Sequence, residues 1–149
     1  MNGWILAAFL ACVAAPLAAH EHHPPHDGSL QVLGDDFAHV EMVLDPQQGL
    51  LTAYALDGEA EESVRLAQKE LRVHLRLSPS GRSVDLVLKA VANELSGESV
   101  GDTSQFEART RALLGQTGFS GTLARVDVRG AIFTKVRLRH PEGNESEGK

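Results

Sequence analysis

Between residues 30 and 138 apolar side chains recur at every second position, in short runs separated by turn residues. That period of two is the strongest constraint on the fold, because it puts one face of an extended strand in a core and the other outside. Ala38, Val40, Met42 and Leu44 alternate with His39, Glu41, Val43 and Asp45, and a largely apolar run at 50–56 follows the turn Pro46-Gln47-Gln48-Gly49. Leu71, Val73, Leu75 and Leu77 alternate with Arg72, His74, Arg76 and Ser78. After Ser78-Pro79-Ser80-Gly81 they are answered by Val84, Leu86, Leu88 and Ala90. Near the end, Thr122, Ala124, Val126 and Val128 are assigned one face. Ile132, Thr134, Val136 and Leu138 face them across an Arg129-Gly130 turn. Helix competes in two places. Residues 63–70 have helical propensity before the alternation at Leu71 takes over, and 104–114 fits either a helix begun by the capping-box spacing Ser104-Gln105-Phe106-Glu107 or a strand at 105–109. Seven to eight short strands with a turn every 8–12 residues or so predict an all-β fold, a two-layer antiparallel β-sandwich or a small barrel.

The ends differ from this middle. Residues 1–19 carry no charged side chain, and the apolar run from Trp4 to Ala15 is too short to span a bilayer. With small residues following Pro16, the segment is expected to be a signal peptide, although no Lys or Arg precedes its apolar centre. The chain is then divided into a signal peptide (1–19), a His-rich flexible leader (20–28), a β domain (29–140) and a charged, frayed tail (141–149). A periplasmic or secreted location follows, with no membrane insertion after cleavage. Cys12, the single cysteine, lies in the signal. Phe9-Leu10-Ala11-Cys12 loosely imitates a lipobox, so a lipoprotein anchored through Cys12 is the lesser alternative. All 20 acids and 14 bases lie beyond Ala19, leaving a net charge of −6. That balance argues against nucleic acid or an anionic membrane as partner and is compatible with collecting cations.

Histidine is the one residue type used unusually. Four of the seven fall within residues 20–26, at His20, His22, His23 and His26. Neutral imidazole suits Zn²⁺ and Cu²⁺, and a leader can fold onto a metal held partly by a sheet. His39 and Glu41 are two apart on a strand and so project from the same face. The candidate ligands are therefore His26, His39 and Glu41, completed by His22 or His23. Against this stands the view that a His-rich terminus is only a loose scavenger. His74, between Arg72 and Arg76, reads as a surface residue.

Patterns of catalysis are scarce. Gly118-Phe119-Ser120-Gly121 is not the five-residue nucleophile elbow, and there is no phosphate-binding loop or dinucleotide fingerprint, so no enzyme is expected. Asp35-Asp36 reads as turn capping and residues 97–103 as a polar connecting loop. Arg125, Arg129, Arg137 and Arg139 read as a solvated outer face. Asn144-Glu145-Ser146 matches a glycosylation sequon.

His26-Asp27-Gly28, the strand at 30–33, Gly34-Asp35, His39-Val40-Glu41 and Leu56-Asp57-Gly58 together resemble a segment near the amino terminus of periplasmic adaptor subunits of heavy-metal efflux pumps. The segment is also similar to small exported bacterial β proteins of uncharacterised function. Asp27 stands where that pattern has its first glycine. Residues 91–106 are similar to the stand-alone proteins as well. The adaptors' long helical hairpin and lipoyl-like domain have no counterpart here. The resemblance implies a periplasmic, metal-related accessory domain; Zn²⁺ or Cu²⁺ as the bound ion is the expectation from the histidines. A structural or protein-interaction module of the cell envelope, with an envelope protein as partner and no metal role, is the competing expectation.

Overall fold

The computed structural model describes residues 22–145. The signal peptide, Cys12, His20 and the last four residues of the tail lie outside the described residues. Eight strands follow one another: β1 (Ser29–Leu33), β2 (Ala38–Asp45), β3 (Leu50–Leu56), β4 (Glu70–Ser78), β5 (Ser83–Ala90), β6 (Gln105–Arg109), β7 (Gly118–Val128) and β8 (Ala131–His140). All pair antiparallel in a single sheet of order β1-β2-β3-β6-β5-β4-β7-β8. Of the two expected architectures the barrel is adopted, since one sheet curls until β1 and β8 meet. The meander β4-β5-β6 folds back so that β6 docks on β3 and leaves β4 to receive β7.

The inner face supplies one core, with Val40, Met42, Leu51, Leu75, Leu88, Phe106 and Leu123 all nearly inaccessible to solvent. Phe106 decides the ambiguous stretch at 104–114. Its burial requires a strand between β3 and β5, so β6 forms, and helical structure is confined to a 3-10 turn, Arg111–Leu113, capped by the Thr110 side chain. Residues 63–69 are not helical. They cross the barrel end, and Val64 and Leu66 drop into the core. The last hairpin turns at Arg129 and Gly130, both left-handed, as a two-residue turn between right-twisted strands requires. Its faces differ from the simple alternation. Leu123 is buried where Thr122 and Ala124 were expected, and Ile132 and Thr134 are exposed, whereas Val126, Val128 and Leu138 are buried as expected. The pairing skips Ala124 opposite Lys135, whose φ of +51° bends β8 there and turns the side-chain sequence over. Among the described residues no helix is long and apolar enough to cross a membrane.

The seam between β1 and β8 is closed by side-chain amides acting as backbone. The fully buried Gln31 donates from Nε2 to the Arg139 carbonyl (2.8 Å) and accepts at Oε1 from the Arg139 N–H (3.0 Å). Asn144 does the same for Val32, accepting its N–H at 2.7 Å and donating to its carbonyl at 3.3 Å, and also donates to the Arg137 carbonyl at 3.0 Å. Gly143 brings Asn144 into place. Its φ is +77°, and a Cβ there would lie 2.5 Å from the Leu30 carbonyl oxygen. Residues 141–145 are thus built into the barrel. Nearby, His140 stacks on Phe119 and meets Ser29 Oγ at 3.0 Å.

Gln31→Leu keeps the volume but strands the partly buried N–H and carbonyl of Arg139, so a loss of roughly 1–3 kcal/mol is expected in chemical denaturation. A loss under ~0.5 kcal/mol would show that the seam is held by other means. His140 supplies a pH signature. Burial pushes its imidazole below the usual 6.5, against the opposing pull of Glu142. With the folded value depressed, the unfolded chain takes up the proton first as pH falls. The stability contribution is therefore complete above about pH 6.5 and lost below it. In His140→Phe, the fall in denaturation midpoint on going from neutral to mildly acidic pH should be smaller than in the native protein.

Candidate metal centre

The site lies on the outer face of β1-β2-β3. His39 sits in β2 between Val32 of β1 and Leu56 of β3, while its strand neighbours Ala38 and Val40 face the core. An outward histidine on a sheet would normally be wet, yet His39 is 0% exposed. The leader covers it from above and the loop after β3 from the side. Gly58 permits that close approach, since a Cβ there would stand 2.3 Å from the Asp36 carbonyl oxygen.

The His39 ring is oriented by its Nδ1, which lies 3.0 Å from the Asp57 carbonyl oxygen. A carbonyl only accepts, so Nδ1 carries the proton and Nε2 presents its lone pair. The Asp57 loop is itself fixed, its carboxylate accepting the N–H groups of Glu61 (2.9 Å) and Glu62 (3.2 Å). Burial works to raise the Asp57 carboxyl, and backbone hydrogen bonds from Glu61, Glu62 and Glu59 outweigh it, holding the group below the usual carboxylate value. Nε2 of His39 is buried and has no hydrogen-bond partner among the described residues. Leaving such an acceptor unpaired costs roughly 1–3 kcal/mol unless something fills the position.

Three other ligand atoms surround it. Asp36 Oδ1 and Glu145 Oε1 each lie 3.9 Å from Nε2, and His22 Nδ1 lies 3.4 Å from the same Glu145 oxygen. The His22 ring stands edge-on to His39, 4.9 Å between centroids and 75° between planes. One ligand atom from each of His22, Asp36, His39 and Glu145 lies within 4.8 Å of all the others, a group that can hold a metal ion. Tetrahedral ligands about 2.0–2.1 Å from a zinc ion are about 3.3 Å apart, a spacing that the His22–Glu145 contact at 3.4 Å already has and that the two 3.9 Å separations slightly exceed. Asp36 is turned inward by its left-handed φ of +52° in the β1–β2 turn.

The residues expected from sequence thus separate into two sets. His22 and His39 meet in the cluster. His26 and Glu41 pair with each other one step along the strand. The Glu41 carboxylate, fully buried, accepts from the N–H of His26 (2.9 Å) and Gly28 (2.8 Å) and lies 2.7 Å from His26 Nδ1. The His26 ring stacks on Tyr54 at 3.7 Å. Burial, with Glu107 and Glu41 nearby, pushes the Tyr54 hydroxyl above its usual value. Glu41 therefore anchors the leader, and the anchored leader delivers His22. Residues 22–28 have no regular structure but are held in place. His23 is exposed outside the cluster, and His74 pairs with Asp85 at 2.7 Å on another face. The sequence assigns Asp36 to turn capping and Glu145 to a sequon, neither to a metal. Asp36 lies three residues before His39, a spacing readable as a shared turn, whereas nothing local marks Glu145. No family model, curated protein or solved structure matches the chain, so the site is read from its geometry alone.

Glu41→Leu removes the acceptor of three donors in residues 26–28. The His26 and Gly28 amides should then exchange with solvent at least tenfold faster while the β4 and β7 amides keep their protection. Unchanged exchange at His26 and Gly28 would show that the leader is held elsewhere.

Proposed function

We propose that this protein is a periplasmic or secreted, non-catalytic domain that binds a divalent transition metal, Zn²⁺ or Cu²⁺, through His22, Asp36, His39 and Glu145. The reading is carried by the buried, unpartnered Nε2 of His39, whose lone pair is aimed at two carboxylates and a second imidazole. Two nitrogen and two oxygen donors suit Zn²⁺ or Cu²⁺. The carbonyl behind Nδ1 is the support that a metal-bound histidine normally has. The apolar amino-terminal segment supports export. The motif resemblance at His26-Asp27-Gly28, His39-Val40-Glu41 and Leu56-Asp57-Gly58 is the ground for proposing a role accessory to metal handling or efflux.

The test is a thermal melt of protein stripped with a chelator, repeated with Zn²⁺ and with Cu²⁺. Metal that binds only the folded form should give a saturable rise, equivalent to about 2.7 kcal/mol at free metal one hundred times the dissociation constant. Asp36→Asn combined with Glu145→Gln, both exposed positions that should not disturb folding, should abolish it. No shift with either metal, or an equal shift in the double variant, would sink the assignment.

A further inference from the structure

The opposite side of the barrel carries a second feature, independent of the metal reading. On its outer face β7 runs between β4 and β8 with a floor of small side chains, Ser120, Thr122 and Ala124, all exposed. Ser120 pairs with Arg76 on one side and Arg139 on the other. Thr122 pairs with His74 on one side and Arg137 on the other. Arg72 lies beside Ala124. The result is a slot with a hydroxyl-bearing floor and cationic walls. Two hollows open along it, one of about 370 Å³ that includes Arg76, Ser120 and Arg139, the other of about 260 Å³ that includes Arg72, His74, Thr122 and Ala124. In a chain of net charge −6, four guanidiniums collect here, and Arg76 has no carboxylate or hydrogen-bond partner among the described residues.

We propose that this slot binds a linear acidic polysaccharide, with a sugar carboxylate between Arg76 and Arg139 and the chain running along Thr122 and Ala124. Neighbouring strands are about 4.8 Å apart and alternate residues about 6.8 Å apart, so the walls stand roughly 10 Å apart at the backbone and the floor extends roughly 14 Å. That accommodates one unbranched chain. Arginine offers paired N–H donors to a carboxylate, and serine and threonine hydroxyls exchange hydrogen bonds with sugar hydroxyls. Other polyanions fit less well. No Phe, Tyr or Trp side chain forms the floor or walls, and Phe119 at one end is buried, so nucleobases have no ring to stack on. An acidic peptide that adds as a strand needs a free edge, and β4 and β7 are paired on both sides; one that lies across the arginines is tested with hexaglutamate, whose preference over alginate would overturn the proposal. An anionic bilayer would repel the net negative charge and finds no apolar wedge here. Glu142 at the first hollow and Asp85 at the second, where it pairs with His74, oppose the ligand's charge, and Arg72 is paired with Glu70, so the carboxylate is placed at Arg76.

The experiment is calorimetric titration of the purified protein with an alginate hexamer at low salt, with chelator present so that no metal bridges the two. Maltohexaose, hexaglutamate, a single-stranded oligothymidylate and phosphatidylglycerol vesicles are run in parallel. Saturable binding of the alginate hexamer is expected, weakened by salt and absent with maltohexaose. Arg76→Gln with Arg139→Gln should reduce affinity at least tenfold, Glu142→Gln should raise it, and Arg109→Gln on β6 should leave it within twofold. Intact thermal unfolding of the variants shows that a lost signal is not lost folding. No binding of the alginate hexamer, equal binding by the double variant, or preference for hexaglutamate, oligothymidylate or vesicles would overturn the proposal.

Discussion

The β1–β8 seam is the constraint on which the rest depends. Eight strands arranged as one sheet have two edges, and buried edge N–H and carbonyl groups must find partners. Here the two edges are joined through Gln31 and Asn144, whose primary amides offer the same donor and acceptor as a peptide group. That choice has a consequence at the surface. To place Asn144, the chain must continue past β8 and turn back over β1, and the next residue is Glu145. The closure of the barrel and the delivery of a carboxylate to His39 are therefore one structural event.

The outer face of β2 is organised by a division of labour between two adjacent outward residues. Glu41 and His39 are both fully buried beneath the leader, which would be unfavourable for either without compensation. Glu41 is satisfied by the leader's own N–H groups and by His26. His39 is satisfied on one nitrogen only. The chain buries a polar acceptor and leaves it without a hydrogen-bond partner among the described residues, within a group of side chains that could hold a metal ion, a local conflict that folding alone does not favour.

Much of the fold was legible because a buried strand face leaves a period-two record. β2, β4 and β5 kept the faces that alternation gave them, and the Arg129-Gly130 turn formed where its residues point. Alternation failed at Ala124 and Lys135, since a left-handed residue in β8 switches the phase without changing the apolar count. It was silent at 104–114, where capping-box spacing and strand propensity competed. Filling the gap between β3 and β5 with Phe106 settled the matter, a requirement visible only once those strands are neighbours.

Sequence by itself determined the strands and most of their faces, and it offered His22 and His39 only within a wider set that also held His23, His26 and Glu41. Strand periodicity and side-chain chemistry are local properties. Tertiary structure alone decided which acids stand with them, because Asp36 is aimed by a turn conformation and Glu145 is brought across 106 residues by the closing of the barrel. It likewise turned Glu41 into an anchor, since only the packed leader could supply the N–H groups that occupy its carboxylate. Long-range closure, not local pattern, sets which polar groups share a space, and that is where the function of this chain is written.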